Sequence, residues 1–169
     1  MYRHIDDFLS IWREEAAKTL EFFDAIPDSA AGAAVAEGHR DLRRMAWHLC
    51  ETLVEMPAHM GFQVAGFPGE PMSTPAPATM KAIRDVYAAL NASLLAQVAT
   101  RNDMALAATY PFYGQTWTGA LALHILVSHQ THHRGQMSVL MRQAGLKVPG
   151  AYGPVKEEWA GLGMPVPEV

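Results

Sequence analysis

The sequence contains a single cysteine, Cys50, among 169 residues. One thiol cannot form an intramolecular disulfide, so the chain is not a small secreted domain held together by disulfides. Such sparse use of cysteine agrees with a reducing compartment. We therefore expect a cytoplasmic protein.

Excess positive charge and long apolar runs are missing as well. The 13 Lys and Arg residues against 17 Asp and Glu residues give a formal net charge of −4, so composition offers no basic surface and we expect no nucleic-acid partner. Polar residues interrupt every apolar run within a turn or two, and the opening stretch MYRHIDDFLSIW lacks the apolar core of a signal peptide. We expect neither a membrane span nor a leader.

What the sequence has is helical periodicity and enough apolar material for one core. Hydrophobic residues make up 50% of the 169 positions, which suits a single domain over residues 1–169. In four segments they recur every three or four positions, the spacing of one helix face. These positions are Ile5, Phe8, Leu9, Trp12, Ala16, Leu20 and Phe23; Leu42, Met45, Leu49, Leu53, Met56 and Met60; Ile83, Val86, Tyr87, Leu90, Leu94 and Val98; and Ala122, Ile125, Leu126, Met137 and Leu140, the last set within a helix from about Thr118 to Arg142.

The segments between these helices are long and contain breakers. Residues 26–38 join the first two helices, residues 66–79 form a long irregular crossover rich in Pro and Gly, and residues 101–115 join the third and fourth helices. The tail after residue 145 is predicted to be an extended arm with at most a short helix at 156–160. No alternating β-branched run is long enough to predict a strand. The fold class is therefore all-α, a four-helix bundle with long crossover connections and an irregular C-terminal arm.

Three histidines lie within five positions of the last helix, in the stretch SHQTHHRGQ at residues 128–136. Each helical residue turns about 100°, so His133 lies about 40° from His129 and on the same apolar face. His132 falls at about 300°, at the margin of that face, and Arg134 faces well away from it. His129 and His133, at i and i+4, can converge on one ion.

A third ligand is available on the second helix. His48 lies at the edge of the apolar stripe in MAWHLCETLVEM, where it would face a neighbouring helix. Three neutral nitrogen ligands leave at least one coordination position open, as catalytic metal sites do. Cys50 lies about 200° from His48 on the helix and is a poor ligand candidate. The competing interpretation is that these are hydrogen-bonded core histidines.

Three polar residues are candidates to orient the ligands from behind. Glu51 and Glu55 follow His48 by one and two helical turns, and Gln136 returns to the ligand face at about 340°. Each could equally be a solvated side chain. No residue is assigned a catalytic role.

The motifs MAWHLCETLVEM and HILVSHQTHHRGQMSVLMRQAG, followed by VPGAYGP, resemble the DinB/YfiT-like family of metalloenzymes. The resemblance extends from the first helix to Tyr152. It implies a four-helix bundle with a long crossover, commonly dimeric, and a divalent metal held by His48, His129 and His133. Imidazole suits several ions, with zinc or nickel expected first and iron as a further choice.

The resemblance also implies a function. Relatives include transferases and isomerases that use low-molecular-weight thiols, so the first hypothesis is a thiol-dependent S-transferase acting on a small electrophile. Its partners would be that thiol, that electrophile and a second copy of the chain in a homodimer. By the same resemblance, Arg134 should face outward or toward the partner subunit.

Two other functions stay open. One is a hydrolase that uses metal-activated water, for which Glu55 or His59 is the only general base we can name. The other is a stress- or damage-induced metal-binding module without catalytic activity. In the tail, Tyr152 and Trp159 could close the mouth of the bundle or cover a dimer face.

Overall fold

The computed structural model describes residues 2–166 and residue 168, and its main feature is a bundle of four long helices. A short helix and a two-stranded sheet precede the last long helix. The all-α fold class is confirmed. In chain order the elements are α1 (Ile5–Asp24), a 3₁₀ turn (Asp28–Ala30), α2 (Leu42–Ala58), α3 (Met80–Val98), α4 (Met104–Ala107), β1 (Thr109–Phe112), β2 (Gln115–Thr118), α5 (Gly119–Gln143) and a second 3₁₀ turn (Trp159–Leu162).

The order of the helices around the bundle explains two of the three long connections. Helix α1 packs against α3 and α5, and α2 packs against the same two helices. Helices α1 and α2 therefore occupy one diagonal, and α3 and α5 the other. The chain must cross an end of the bundle between α1 and α2 and again between α3 and α5, which a tight turn cannot do. Within the described chain, no helix combines the length and apolar character that crossing a bilayer requires.

Local sequence fixes where three of the long helices begin. The side chains of Asp41, Thr79 and Thr118 precede α2, α3 and α5, and each accepts a hydrogen bond from a backbone N–H in the first turn. Such caps satisfy donors that have no partner within the helix. At the start of α5 a side chain would not fit, because a Cβ on Gly119 would lie 2.1 Å from the carbonyl oxygen of Ala105.

The connection at residues 101–115, in which the sequence predicted no strand, contains α4 and part of a β-hairpin. Strands β1 and β2 pair antiparallel, with Tyr110 opposite Trp117. The two-residue loop has positive φ at both positions, 47° at Tyr113 and 79° at Gly114, the backbone of a type I′ turn. Short strands without alternation and a tyrosine at the first turn position gave the sequence analysis no hairpin signal.

The C-terminal arm, residues 144–166, is irregular as predicted, with one difference. The short helix expected at residues 156–160 is a 3₁₀ turn at Trp159–Leu162 instead. Val148 is buried, and the hydroxyl group of Tyr152 hydrogen-bonds to Glu15 in α1 and lies 2.8 Å from the hydroxyl of Thr131 in α5. These contacts hold the arm against both α1 and α5.

Candidate metal centre

The three histidines selected from the sequence meet between α2 and α5. One nitrogen from each of His48, His129 and His133 lies within 4.8 Å of the others. The ring centroids are 5.1 Å apart for His48 and His129, 4.8 Å for His48 and His133, and 4.5 Å for His129 and His133. His48 and His133 are buried and His129 is partly buried. We call this group the histidine cluster.

The spacing of the nitrogens suits one metal ion. The Nε2 atoms of His129 and His133 are 3.2 Å apart. Two nitrogens bound at about 2.05 Å to one tetrahedral zinc would lie roughly 3.3 Å apart. A shared ion would therefore need little movement of these two rings.

Hydrogen bonding at the back of His133 selects which of its nitrogens is free. Nδ1 of His133 lies 2.7 Å from Oε1 of Gln136. The amide oxygen can only accept, so Nδ1 carries the proton and Nε2 keeps its lone pair facing His129. Gln136 is thus placed where a ligand-orienting residue is needed.

A buried carboxylate stands behind His48. Oε2 of Glu51 lies 3.6 Å from Nδ1 of His48, slightly beyond hydrogen-bond distance. Glu51 is fully buried, and it accepts two hydrogen bonds from the guanidinium of Arg44, at 2.9 and 3.2 Å, and one from the backbone N–H of Met72 at 3.2 Å. Met72 adopts φ 68°, a left-handed conformation that is uncommon for a side chain of this size. The crossover between α2 and α3 is therefore tied to the back of the cluster.

The surroundings keep the imidazoles uncharged. Burial lowers the pKa of His48 to about 3, and the positive charge of Arg40 acts in the same direction. Burial, followed by neighbouring His133, lowers the pKa of His129 to about 4. Burial also lowers the pKa of His133, although its hydrogen bond with Gln136 opposes the shift. At neutral pH all three rings are in the form that binds metals.

The donor set fits a transition metal better than it fits a hydrogen-bonded core. Among the described residues, Nδ1 of His48 and Nδ1 of His129 are buried without a hydrogen-bond partner. In that part of the chain, neither ring has a hydrogen-bond partner outside the cluster, whereas a histidine buried in a core is normally anchored by hydrogen bonds to its surroundings. Three neutral imidazoles that converge in this way could hold a zinc, nickel, copper or iron ion.

Comparison with known proteins identifies the family of the chain. The family model for the DinB family matches residues 1–168. The chain belongs to the DinB family. It is 37% identical over 172 residues to the uncharacterized protein YrdA of Bacillus subtilis (strain 168), with 100% of both chains covered.

Solved structures of DinB-like proteins have the same fold. A DinB-like protein from Bacillus cereus ATCC 10987 superposes with a TM-score of 0.83 at 36% identity, covering 90% of this chain and 100% of that one. A second DinB-like protein, YjoA of Bacillus subtilis, gives a TM-score of 0.61 at 16% identity, covering 88% of this chain and 99% of its own. The second likeness concerns the fold alone.

One expectation about this DinB chain was wrong. Arg134 does not face outward: its side chain is 2% exposed and forms a buried ion pair with Glu15 of α1. It also donates hydrogen bonds to the hydroxyls of Thr19 and Tyr152, at 2.8 and 2.6 Å. The helical phase correctly turned Arg134 away from the cluster, but α1 and the C-terminal arm cover that side of α5. Tyr152 therefore completes a buried polar network.

The structure brings some of the other candidate residues to the DinB cluster and leaves others elsewhere. Glu51 and Gln136 lie behind the ligands, as described above. Glu55 instead accepts a hydrogen bond from Tyr113 of the hairpin turn, at 2.8 Å, and its other oxygen lies 3.2 Å from Nε2 of His59. Cys50 is buried and directs its thiol at the carbonyl oxygen of Ile83 in α3. Trp159 is half-buried in the arm.

Sequence reasoning missed two features of this DinB site. A buried amide, Gln130, receives a hydrogen bond from Tyr87 of α3 at 3.0 Å and links α5 to the backbone of Leu49. A cavity of about 700 Å³, lined in part by His133, also opens beside the cluster. Gln130 lies about 100° from His129 around α5, next to the buried Met137 at about 80°, so its burial could have been inferred from the helical phase. The cavity depends on the loop before α2, which periodicity does not describe.

The role of Glu51 can be tested by removing its charge. We expect Glu51→Gln to weaken zinc binding about 10–100-fold, because a neutral amide supports the imidazole of His48 less well than a carboxylate does. Competition with a chromophoric chelator measures the affinity.

Glu55→Gln is the matched control, since it removes the same charge one helical turn further along α2, at the hairpin. Equal zinc affinity in both variants would contradict an orienting role for Glu51.

Proposed function

We propose that this protein is a metal-dependent transferase that joins a low-molecular-weight thiol to a small electrophile. The observation that carries the proposal is the convergence of three uncharged imidazoles beside an open cavity, in a chain whose own thiol is inaccessible. His48, His129 and His133 would hold one divalent transition ion, zinc or nickel in the first instance. DinB membership supports the proposal through what the family resemblance implies, a metal-dependent reaction of a low-molecular-weight thiol.

An inaccessible cysteine indicates where the nucleophile comes from. Cys50 is fully buried, and burial raises the pKa of its thiol well above the usual range, so it is neither exposed nor ionised. A sulfur nucleophile must therefore arrive with a second molecule. An ion held by three neutral ligands keeps its full charge and strongly lowers the pKa of a thiol at its open position.

The overall reaction balances without an oxidant or a reductant. The thiol sulfur forms a bond to an electrophilic carbon, and the bond from that carbon to its leaving group breaks. The leaving group departs with the electron pair, and the thiol proton passes to solvent. The protein's residues keep the ligand rings neutral through burial, orient His133 through Gln136, and place Glu51 behind His48.

Hydrolysis has less support from the geometry. Its candidate bases, Glu55 and His59, contact each other and the hairpin residues Phe112 and Tyr113, and among the described residues neither has a contact with the histidine cluster. A general base must reach the proton that it removes, directly or through one water. A homodimer and a cytoplasmic location stay predictions.

The test is conjugation of 2-mercaptoethanol to monochlorobimane by zinc-loaded and nickel-loaded protein, followed by fluorescence. We expect the metal-loaded protein to exceed the uncatalysed rate by at least about 100-fold, because activation of a nucleophile accelerates its reaction by about this much or more. His129→Ala should abolish this acceleration, because it removes one of the residues that would hold the ion. Cys50→Ala should retain it.

A rate that is the same with and without metal would overturn the proposal. So would a rate that disappears in Cys50→Ala while this variant stays folded.

A further inference from the structure

The cavity beside the histidine cluster has a distinct apolar wall. Met45 and Leu140 are buried in its floor, 6% and 4% exposed, and Val35 and Val139 stand at its rim, 62% and 55% exposed. Val35 and Val139 therefore make few contacts within the protein, and their apolar surface is free to contact a ligand. A cavity of about 700 Å³ is within the usual size range of small-molecule sites, which are also mainly apolar.

One guanidinium lies at the same cavity and has no internal partner. Arg40 precedes α2 and is exposed, and within the described part of the chain its side chain forms no ion pair or hydrogen bond. Several arginines of the bundle are paired with acidic side chains: Arg44 with Glu51, Arg84 with Asp24, Arg134 with Glu15 and Arg142 with Glu157. Among the described residues, the side chains of Arg3 and Arg13 also form no ion pair or hydrogen bond, but Arg40 is the arginine among those that line this cavity.

The balance of charge around the cavity is unusual for this protein. The chain as a whole carries a formal net charge of −4, yet among the described residues none of those that line this cavity is acidic. A divalent ion at the cluster would add further positive charge. A ligand that enters here is therefore favoured if it carries a negative group.

We propose that this cavity binds a small molecule with an aliphatic body and a terminal carboxylate, the carboxylate held by Arg40 and the other end directed to the histidine cluster. The inference rests on the proposed function and names its substrate class. A guanidinium presents two parallel N–H donors that match the two oxygens of a carboxylate. Phosphate sites usually gather several donors, whereas one arginine beside an aliphatic wall suits a carboxylate. Either the thiol or the electrophile carries this group.

The first experiment compares two thiols of equal length, 6-mercaptohexanoate and 6-mercaptohexanol, on the cobalt-loaded protein. Binding is followed by the absorption band of the cobalt–sulfur bond. We expect the carboxylate to bind about tenfold more tightly, the effect of one charge-assisted hydrogen-bonded pair. Arg40→Gln should remove this preference and leave the affinity for the neutral thiol unchanged.

Arg43→Gln is the matched control, because it removes the same charge three residues away, from a side chain that does not line the cavity. It should keep the tenfold preference. Equal binding of the two thiols by the unmodified protein, or an equal loss of preference in both variants, would overturn the carboxylate site while leaving the metal centre standing.

A second measurement separates this proposal from the proposed function. Hexanoate and hexanol, titrated into metal-free protein and followed by NMR shifts, report on Arg40 alone. A preference for hexanoate in a protein that fails to bind metal would support the site and refute the transferase. The absence of any preference would refute the site.

Two kinetic experiments identify which reactant carries the carboxylate. One pairs 6-mercaptohexanoate with 1-bromohexane, and the other pairs 6-mercaptohexanol with 6-bromohexanoate. In the experiment whose charged reactant binds Arg40, Arg40→Gln should raise KM for that reactant about tenfold with little change in kcat, as expected for lost binding. If Arg40→Gln leaves KM of the charged reactant unchanged in both experiments, the proposal is contradicted.

Discussion

The His133→Ala variant is expected to lose stoichiometric metal binding. His133 supplies one of three nitrogens, and its Nε2 lies 3.2 Å from that of His129. Even loss of a residue that only orients a ligand weakens binding about 10–100-fold, so loss of the ligand itself should weaken it by more than about 100-fold. Metal content by mass spectrometry and chelator competition measure the effect on untagged protein.

The neighbouring His132→Ala variant is the control for this prediction. His132 is exposed, and its ring centroid lies 4.9 Å from that of His133, yet it falls outside the group of converging nitrogens. It should retain about one ion per chain. If His132→Ala loses the metal and His133→Ala keeps it, the helical phase assigned to α5 is incorrect; circular dichroism checks that both variants fold.

The Arg134→Met variant is expected to lower the free energy of unfolding by about 3–5 kcal/mol. Arg134 is 2% exposed, and its removal would leave the carboxylate of Glu15 buried without its cation. Breaking one side of a buried ion pair typically has a cost of this size. Urea unfolding followed by circular dichroism measures the change.

Arg142→Met provides the comparison, because Arg142 lies on the same helix as Arg134 and forms a surface ion pair with Glu157 of the C-terminal arm. Exposed ion pairs contribute little to stability, so the free energy of unfolding of this variant should be close to that of the unmodified protein. The double variant Glu15→Met/Arg134→Met should recover part of the loss, since it leaves no buried charge behind. A single Arg134→Met variant as stable as Arg142→Met would show that the buried pair contributes nothing.

Periodicity predicted the four long helices and the cluster because both depend on local repetition. The i and i+4 spacing of His129 and His133 fixes their relative direction on α5 wherever that helix packs. His48 needed one further condition, that α2 lies beside α5. The bundle satisfies that condition, and the DinB resemblance had implied it.

The features that sequence reasoning missed depend on contacts between distant segments. The direction of Arg134 was predictable, but its burial follows from the positions of Glu15 in α1 and Tyr152 in the arm. The hairpin depends on a two-residue loop in which Tyr113 adopts positive φ, held in place by its hydrogen bond to Glu55. The position of Arg40 at the cavity follows from its loop and α5 lining the same space. Tertiary contacts of this kind leave no periodic trace in the sequence.

The burial of Cys50 gives the protein a built-in reporter of its own unfolding. Its thiol faces Ile83 of α3 from within α2, so no alkylating reagent reaches it while these two helices stay packed. A protein that handles electrophiles would thereby escape modification by them. Because the sequence has one cysteine, the rate of alkylation in mild denaturant reads out the opening of a single helix interface, with no label to be introduced.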